Sequence, residues 1–227
     1  MSILQQAQFF TTVAELAQLP MLGLPELAFA GRSNAGKSSA INTLCQQKRL
    51  AFASKTPGRT QHLNYFAIGH HAEDESLPAA FLVDLPGYGY AETSKSAKAH
   101  WGDQLGSYIQ KRNELAGLVL IMDARHPMGP LDVALIEWFR VTGKPLHVLL
   151  TKSDKLNRSE ASVTLGAVQR ALAHYSSLYT CALFSSLKRS GVEEAEMRVL
   201  GMLGLSGPDT ARQARAPHAK KTPTQGE

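Results

Sequence analysis

Apolar and polar positions follow two alternating periods along this chain. Short, nearly continuous apolar runs at 26–30, 63–68, 79–84, 117–123, 146–151 and 179–184 predict strands, with Leu118-Val119-Leu120-Ile121-Met122 and Val148-Leu149-Leu150 the purest. Between and after them, apolar residues recur at intervals of three and four over 37–47, about 94–112, 131–142, 159–176 and 191–204, which predicts helices. Strands of this kind are covered on both faces, so the pattern implies an α/β fold: a doubly wound, mainly parallel sheet of six strands with helices on both sides. Ligands of such folds gather at the carboxyl ends of the strands.

At the two ends the pattern changes. Ile3, Phe9, Phe10, Val13, Leu16 and Leu19 fall at roughly helical intervals before Pro20, predicting an amphipathic helix over 2–19 within an N-terminal extension of residues 1–22. The main domain then spans 23–205. Residues 206–227 collect Pro, Gly, Thr, Lys and Arg without apolar periodicity and read as a basic disordered tail.

Composition adds exclusions. The chain has 227 residues, 44% hydrophobic and 19% charged, a length that suits one domain with short extensions. No apolar run approaches the roughly 20 residues of a membrane span, and the N-terminus lacks a secretory pattern, so a soluble, cytoplasmic protein is expected. Cys45 and Cys181 have no metal-ligand spacing and read as reduced core thiols. His70-His71 with Glu73-Asp74-Glu75 reads as a solvated turn in preference to a metal site. A net charge of +5 leans toward a polyanionic partner without requiring one. The excess includes Lys55 and Arg59, Lys95 and Lys98, and Arg212, Arg215, Lys220 and Lys221 of the tail.

The chemistry begins where strand 26–30 turns into helix 37–47. Gly31-Arg32-Ser33-Asn34-Ala35-Gly36-Lys37-Ser38 matches G-x-x-x-x-G-K-[ST] in the strand-to-helix context that the pattern requires. Its N–H groups and the helix N-terminus favour phosphates, Lys37 reaches the outer ones, and Ser38 suits Mg²⁺. Three later strand ends narrow the nucleotide. Asp84-Leu85-Pro86-Gly87 forms D-x-x-G, an acid near the Mg²⁺ water shell and a glycine whose N–H can approach a γ-phosphate. Thr151-Lys152-Ser153-Asp154 resembles N-K-x-D, in which the two Asp154 oxygens accept from guanine N1–H and its amine while the Lys152 stem lies over the base. After strand 179–184, a backbone N–H in Ser185-Ser186-Leu187 can meet guanine O6. In Lys55-Thr56-Pro57-Gly58-Arg59-Thr60-Gln61, Thr60 is chosen over Thr56 as a second Mg²⁺ ligand, because it is nearer the strand that fixes the loop.

Together, G-R-S-N-A-G-K-S, T-P-G-R-T-Q, D-L-P-G-Y-G-Y-A, T-K-S-D and F-S-S-L-K resemble the EngB (YsxC or YihA) family of bacterial GTPases, over residues 1 to about 205. The resemblance implies a Ras-like P-loop G domain of the TrmE-Era-EngA-EngB-septin class. It implies a monomer with slow Mg²⁺-dependent GTP hydrolysis, cycling between GTP and GDP, that assists late assembly of the 50S ribosomal subunit, in contact with rRNA, and is needed for septation. By match to the family motifs, Gly31 to Ser38 bind phosphates, and Ser38 and Thr60 ligate Mg²⁺. Gly58, Arg59, Thr60, Gln61 and His62 with Asp84 to Gly87 line the γ-phosphate, while Thr151 to Asp154 with Phe184, Ser185 and Ser186 hold guanine. Lys37 and Thr60 carry the catalytic electrostatics.

Directly after D-x-x-G, Tyr88 stands where better-known GTPases carry a water-orienting glutamine. The resemblance to K⁺-stimulated relatives offers Asn34 as a K⁺ ligand; the alternative is that Asn34 only favours the loop's turn geometry. The segment from Tyr88 through Lys98 is expected to be remodelled when the γ-phosphate is lost, Trp101 reads as core more readily than as a partner anchor, and Arg125 is a candidate RNA-phosphate contact. Two other functions stay open: a septum-associated interaction protein regulated by nucleotide, and a P-loop phosphotransferase. The second is disfavoured by Asp154 and by the lack of length for a substrate lid.

Overall fold

The computed structural model of the chain describes residues 2–52, 62–88 and 105–205. The seven strands are β1 (Gln8–Val13), β2 (Glu26–Gly31), β3 (Leu63–Ile68), β4 (Ala80–Asp84), β5 (Leu115–Asp123), β6 (Leu146–Thr151) and β7 (Tyr179–Leu183). The helices are α1 (Lys37–Leu44), α2 (described over 105–111), α3 (Pro130–Arg140), α4 (Arg158–Ala173) and α5 (Val192–Met202). One sheet takes the order β1-β3-β4-β2-β5-β6-β7. β4, β2, β5, β6 and β7 run parallel, and β3 and β1 pair antiparallel on the β4 side.

Alternation along the strands divides the core into two layers. Ala28, Ala30, Val83, Leu118, Leu120, Val148 and Leu150 face one way, toward Tyr108 of α2, Leu135, Ile136 and Phe139 of α3, and Val168 and Leu172 of α4. Leu27, Phe29, Leu82, Val119, Ile121 and Leu149 face the other, toward Ile41 and Leu44 of α1 and Ala195 and Val199 of α5. This is the doubly wound arrangement expected, with one strand more than the six predicted.

The extra strand corrects the N-terminal expectation. Residues 2–19 form no α-helix: two short 3₁₀ turns, Ile3–Gln6 and Leu16–Gln18, flank β1. Phe9-Phe10-Thr11-Thr12-Val13 is aromatic and β-branched, which favours a strand, and the free edge of β3 supplies the ladder, from Gln8↔Ala67 to Val13↔Leu63. Phe9 meets Phe66 edge-on with centroids 6.3 Å apart, and Phe10, where the β1–β3 register shifts, meets Phe81 of β4 at 4.9 Å. Nonlocal pairing thus overrides a helical spacing.

Away from the strand ends that carry the motifs, Glu26 starts β2 as a buried carboxylate. Arg112 beyond α2 reaches its Oε1 at 2.6 Å, and the hydroxyls of Tyr65 and Tyr108 donate to its Oε2 at 3.1 and 2.8 Å. Arg112 also donates to the Pro20 carbonyl and pairs with Glu114, so one guanidinium ties the N-terminal segment to the end of α2. His70 and His71 lie in the connection between antiparallel β3 and β4, where Ser76 donates twice to Asp74. Cys45 and Cys181 are both buried free thiols.

Candidate functional site

Arg32 to Gly36 leave the end of β2 and lead straight into α1. Two positive φ values make the turn, Asn34 at 65° and Gly36 at 103°. The second is costly for any residue with a Cβ, which explains glycine there. Gly31 meets a different demand: a Cβ on it would come 2.8 Å from the Ile121 carbonyl oxygen, so β2 and β5 close together only without one. The loop N–H groups of Ser33 and Ala35 donate to the carbonyls of Tyr88 and Arg32 at 2.9 and 3.0 Å. Those of Asn34, Gly36, Lys37 and Ser38 find no backbone acceptor among the described residues. A cradle of unspent donors at a helix N-terminus fits a polyphosphate.

Lys37 and Asp84 face each other across this cradle as a salt bridge, joining the first residue of α1 to the last of β4. Burial pushes the Asp84 carboxyl above the usual range, and Lys37 opposes that shift. Beyond Asp84, Leu85 and Pro86 are buried, Gly87 is exposed, and Tyr88 is buried again. Leu85 is therefore a core residue bound to β2, its N–H donating to the Phe29 carbonyl at 3.0 Å.

Tyr88 is turned inward. Its hydroxyl donates to Asp132 Oδ1 on α3 at 2.6 Å, and Asp132 Oδ2 accepts the Gly129 N–H at 2.9 Å. Burial, followed by the Asp132 charge, holds the phenol well above its ordinary pKa, so it stays a donor. Its backbone completes a parallel bridge to Arg32, with its N–H donating to the Gly31 carbonyl at 3.2 Å.

The ends of β6 and β7 close the other side. Lys152, at φ 56°, donates from Nζ to the Asn34 carbonyl at 2.7 Å and pairs with Asp123 at 3.0 Å, so its stem lies along the loop. Arg125 grips the same Asp123 through Nε and Nη2 at 2.9 and 2.7 Å, and these cations hold the Asp123 carboxyl well below the usual range. A cleft of about 260 Å³ runs beside the loop, lined in part by Arg32, Asn34, Asp123, His126 and Lys152. Asp154 Oδ1 accepts from Ser185 Oγ at 2.5 Å, while Oδ2 lies 4.0 Å from Lys155 Nζ.

Three residues that the motifs group with the base do something else. Thr151 is buried and donates from Oγ1 to the Ala35 carbonyl at 2.5 Å, bracing the phosphate loop from beneath. Phe184 is a fully buried core residue, its backbone bonded to Leu150 and Ser153. Ser185 uses its N–H on the Ser190 carbonyl at 3.0 Å, leaving the next residues of the loop to offer N–H groups to a base. Its side chain orients Asp154, a function that the pattern alone did not signal. Ser153 opens a 3₁₀ turn with its N–H on the Phe184 carbonyl, and Ser186 follows Ser185 in the β7 loop. Lys55, Thr56, Gly58, Arg59, Thr60 and Gln61, and Gly89 through Lys98 with Trp101, lie outside the described residues, as does the tail from 206. His62 stands just before β3 with Nδ1 buried and without a hydrogen-bond partner among the described residues.

Among the described residues no group of three or more His, Cys, Asp or Glu could hold a metal. Hydroxyl and carboxylate oxygens at Ser38 and Asp84, beside a phosphate cradle, have the hard donor chemistry that suits Mg²⁺. Among the described residues no helix is long and apolar enough to cross a membrane.

A family model described as 50S ribosome-binding GTPase matches residues 26–152. The chain is 56% identical over 220 residues to a probable GTP-binding protein EngB of Janthinobacterium sp. (strain Marseille), covering 91% of this chain and 94% of that one. It is 55% identical to the probable GTP-binding protein EngB of Ralstonia nicotianae over 231 residues, covering 99% and 97%. A crystal structure of a probable GTP-binding protein engB superposes with a TM-score of 0.60 at 20% identity, covering 80% of this chain and 100% of that chain. An Aquifex aeolicus Era variant bound to GDP.AlF4- superposes at 0.61 with 20% identity, covering 81% and 57%. At that identity the two structures support the fold.

Proposed function

Because this chain belongs to the EngB family of GTP-binding proteins, a family of P-loop GTPases, we propose that it is a Mg²⁺-dependent GTP switch acting in late assembly of the large ribosomal subunit. The observation that carries the nucleotide reading is the pairing of Asp154 with Ser185, which fixes a carboxylate between the ends of β6 and β7, where in this reading the base lies. Guanine presents two adjacent donors to such a carboxylate and adenine does not.

In this reading the loop N–H groups from Asn34 to Ser38 cradle the phosphates, and Lys37 turns from Asp84 toward the outer ones. The hydroxyls of Ser38 and Thr60, with the Asp84 carboxylate nearby, would hold Mg²⁺, which when bound would offset phosphate charge. Water attacks the γ-phosphorus, the bond to the bridging oxygen breaks, and GDP and phosphate leave. With Tyr88 turned inward, no side chain at that position orients the water. Asn34, exposed at the rim and with no side-chain hydrogen bond among the described residues, is our candidate for holding a K⁺ that offsets charge in the transition state.

Ribosomal action is supported by the description of the matching family model and by the net charge of +5, which suits rRNA phosphates. We place the activity in the cytoplasm, in a monomer, and include the septation requirement that the family resemblance implies. Salt-sensitive co-sedimentation with 50S particles in GTP and its loss in GDP is the expected result. Equal recovery in both states, or none in either, contradicts the reading.

A further inference from the structure

We propose that Tyr88 is a positioning residue for hydrolysis, its phenol latching the end of the Asp84-Leu85-Pro86-Gly87 segment to α3 through Asp132. The inference rests on the reading of Gly87 as the γ-phosphate contact. Pro86 and Tyr88 are both buried while Gly87 between them is exposed, so that short stretch presents one glycine outward from two fixed neighbours. Pro86 has no N–H, and the Gly87 N–H has no backbone acceptor among the described residues. The aim of that N–H therefore depends on what fixes Tyr88.

Three bonds fix it. Its N–H and carbonyl engage Gly31 and Ser33 at 3.2 and 2.9 Å, and its hydroxyl engages Asp132 at 2.6 Å. The backbone pair joins Tyr88 to the phosphate loop, and a Cβ on Gly87 would come within 3.1 Å of Ser33 Oγ, so the two segments touch. The hydroxyl adds a third point on a different element. Asp132 is buried and is itself anchored at the start of α3 by the Gly129 N–H. A phenylalanine would fill the same volume and keep the backbone bonds, so the hydroxyl is the part that packing does not require. Its bond to a buried carboxylate belongs to the stronger class of hydrogen bonds. What it gives is a third fixed direction for Gly87 when charge builds on the transferring phosphoryl group.

The test is steady-state GTP hydrolysis and GDP binding by the full chain, for Tyr88→Phe, Asp132→Leu, the double variant and Gly87→Ala. Tyr88→Phe is expected to lower kcat about tenfold, a loss typical of one charge-assisted bond, with KM for GTP and affinity for GDP unchanged. Asp132→Leu should lower kcat by a similar factor, and the double variant should be no slower than either single one. A normal kcat in Tyr88→Phe, with Gly87→Ala slow, overturns the latch alone. A normal kcat in Gly87→Ala overturns the γ-phosphate reading and the latch with it. A parallel loss of kcat, GDP affinity and melting temperature in Tyr88→Phe identifies a merely structural tyrosine and also overturns the proposal.

Discussion

Ser185 Oγ donates to Asp154 Oδ1 at 2.5 Å, joining the loop after β7 to the loop after β6. The same hydroxyl accepts the Lys188 N–H at 3.0 Å, so its hydrogen is directed at the carboxylate. Ser185 is fully buried, which keeps water from replacing it as the partner of Asp154.

Ser185→Ala is therefore expected to weaken GTP binding about tenfold, the value of one hydrogen bond to a charged group. The ratio of GTP to ATP affinity should fall with it. Competition binding with both nucleotides measures this, and the melting temperature should move little by comparison.

The Glu26 cluster should behave as a structural clamp with no direct part in nucleotide binding. Arg112→Ala strands a buried carboxylate and is expected to cost about 3–5 kcal/mol. Glu26→Gln, combined with Arg112→Met, should recover much of that loss. Denaturant unfolding of the three proteins checks the order.

His147 provides a pH signature. It is buried on β6 with Nδ1 2.8 Å from Thr180 Oγ1 and Nε2 without a partner among the described residues, and burial, with the Arg198 charge second, lowers it to about 4. The unfolded chain protonates first, near about 6.5, so stability is complete above that pH and falls as pH drops toward 4. The loss should be on the order of 3 kcal/mol over that window. His147→Leu should flatten the decline; parallel curves for the two proteins would contradict the assignment.

Much of this arrangement was legible because it is local. β3 and β6 begin and end at the residues the apolar runs mark, since each is a largely buried strand bounded by a polar residue at one end and by Gly69 or Pro145 at the other. The phosphate loop was legible because its chemistry is in the backbone. β1 was not: Ile3 to Leu19 satisfy a helical spacing by themselves, and only the open edge of β3 selects the strand. The same limit applies to Tyr88 and Asp132, 44 positions apart, and to Ser185 and Asp154, 31 apart, which no spacing rule connects. Thr151 and Phe184 carry motif positions, yet their side chains face the phosphate loop and the core, because a motif assigns positions and the fold assigns directions.

Asn34 separates two explanations for one residue. If it holds a K⁺, Asn34→Ala should abolish stimulation of hydrolysis by K⁺ over Na⁺ while leaving the Na⁺ rate as it was. If it only favours the turn at φ 65°, stimulation survives and nucleotide affinity falls in both salts.

Exchange of the base tests whether Asp154 reads guanine. Wild-type protein should bind GTP far more tightly than ATP or XTP in equilibrium competition. Asp154→Asn should prefer XTP, because an amide donates to the xanthine 2-oxygen where the carboxylate had accepted from the guanine amine. Equal affinity of the wild type for ATP and GTP, or an Asp154→Asn variant that keeps its preference for GTP, would rule out guanine reading by Asp154.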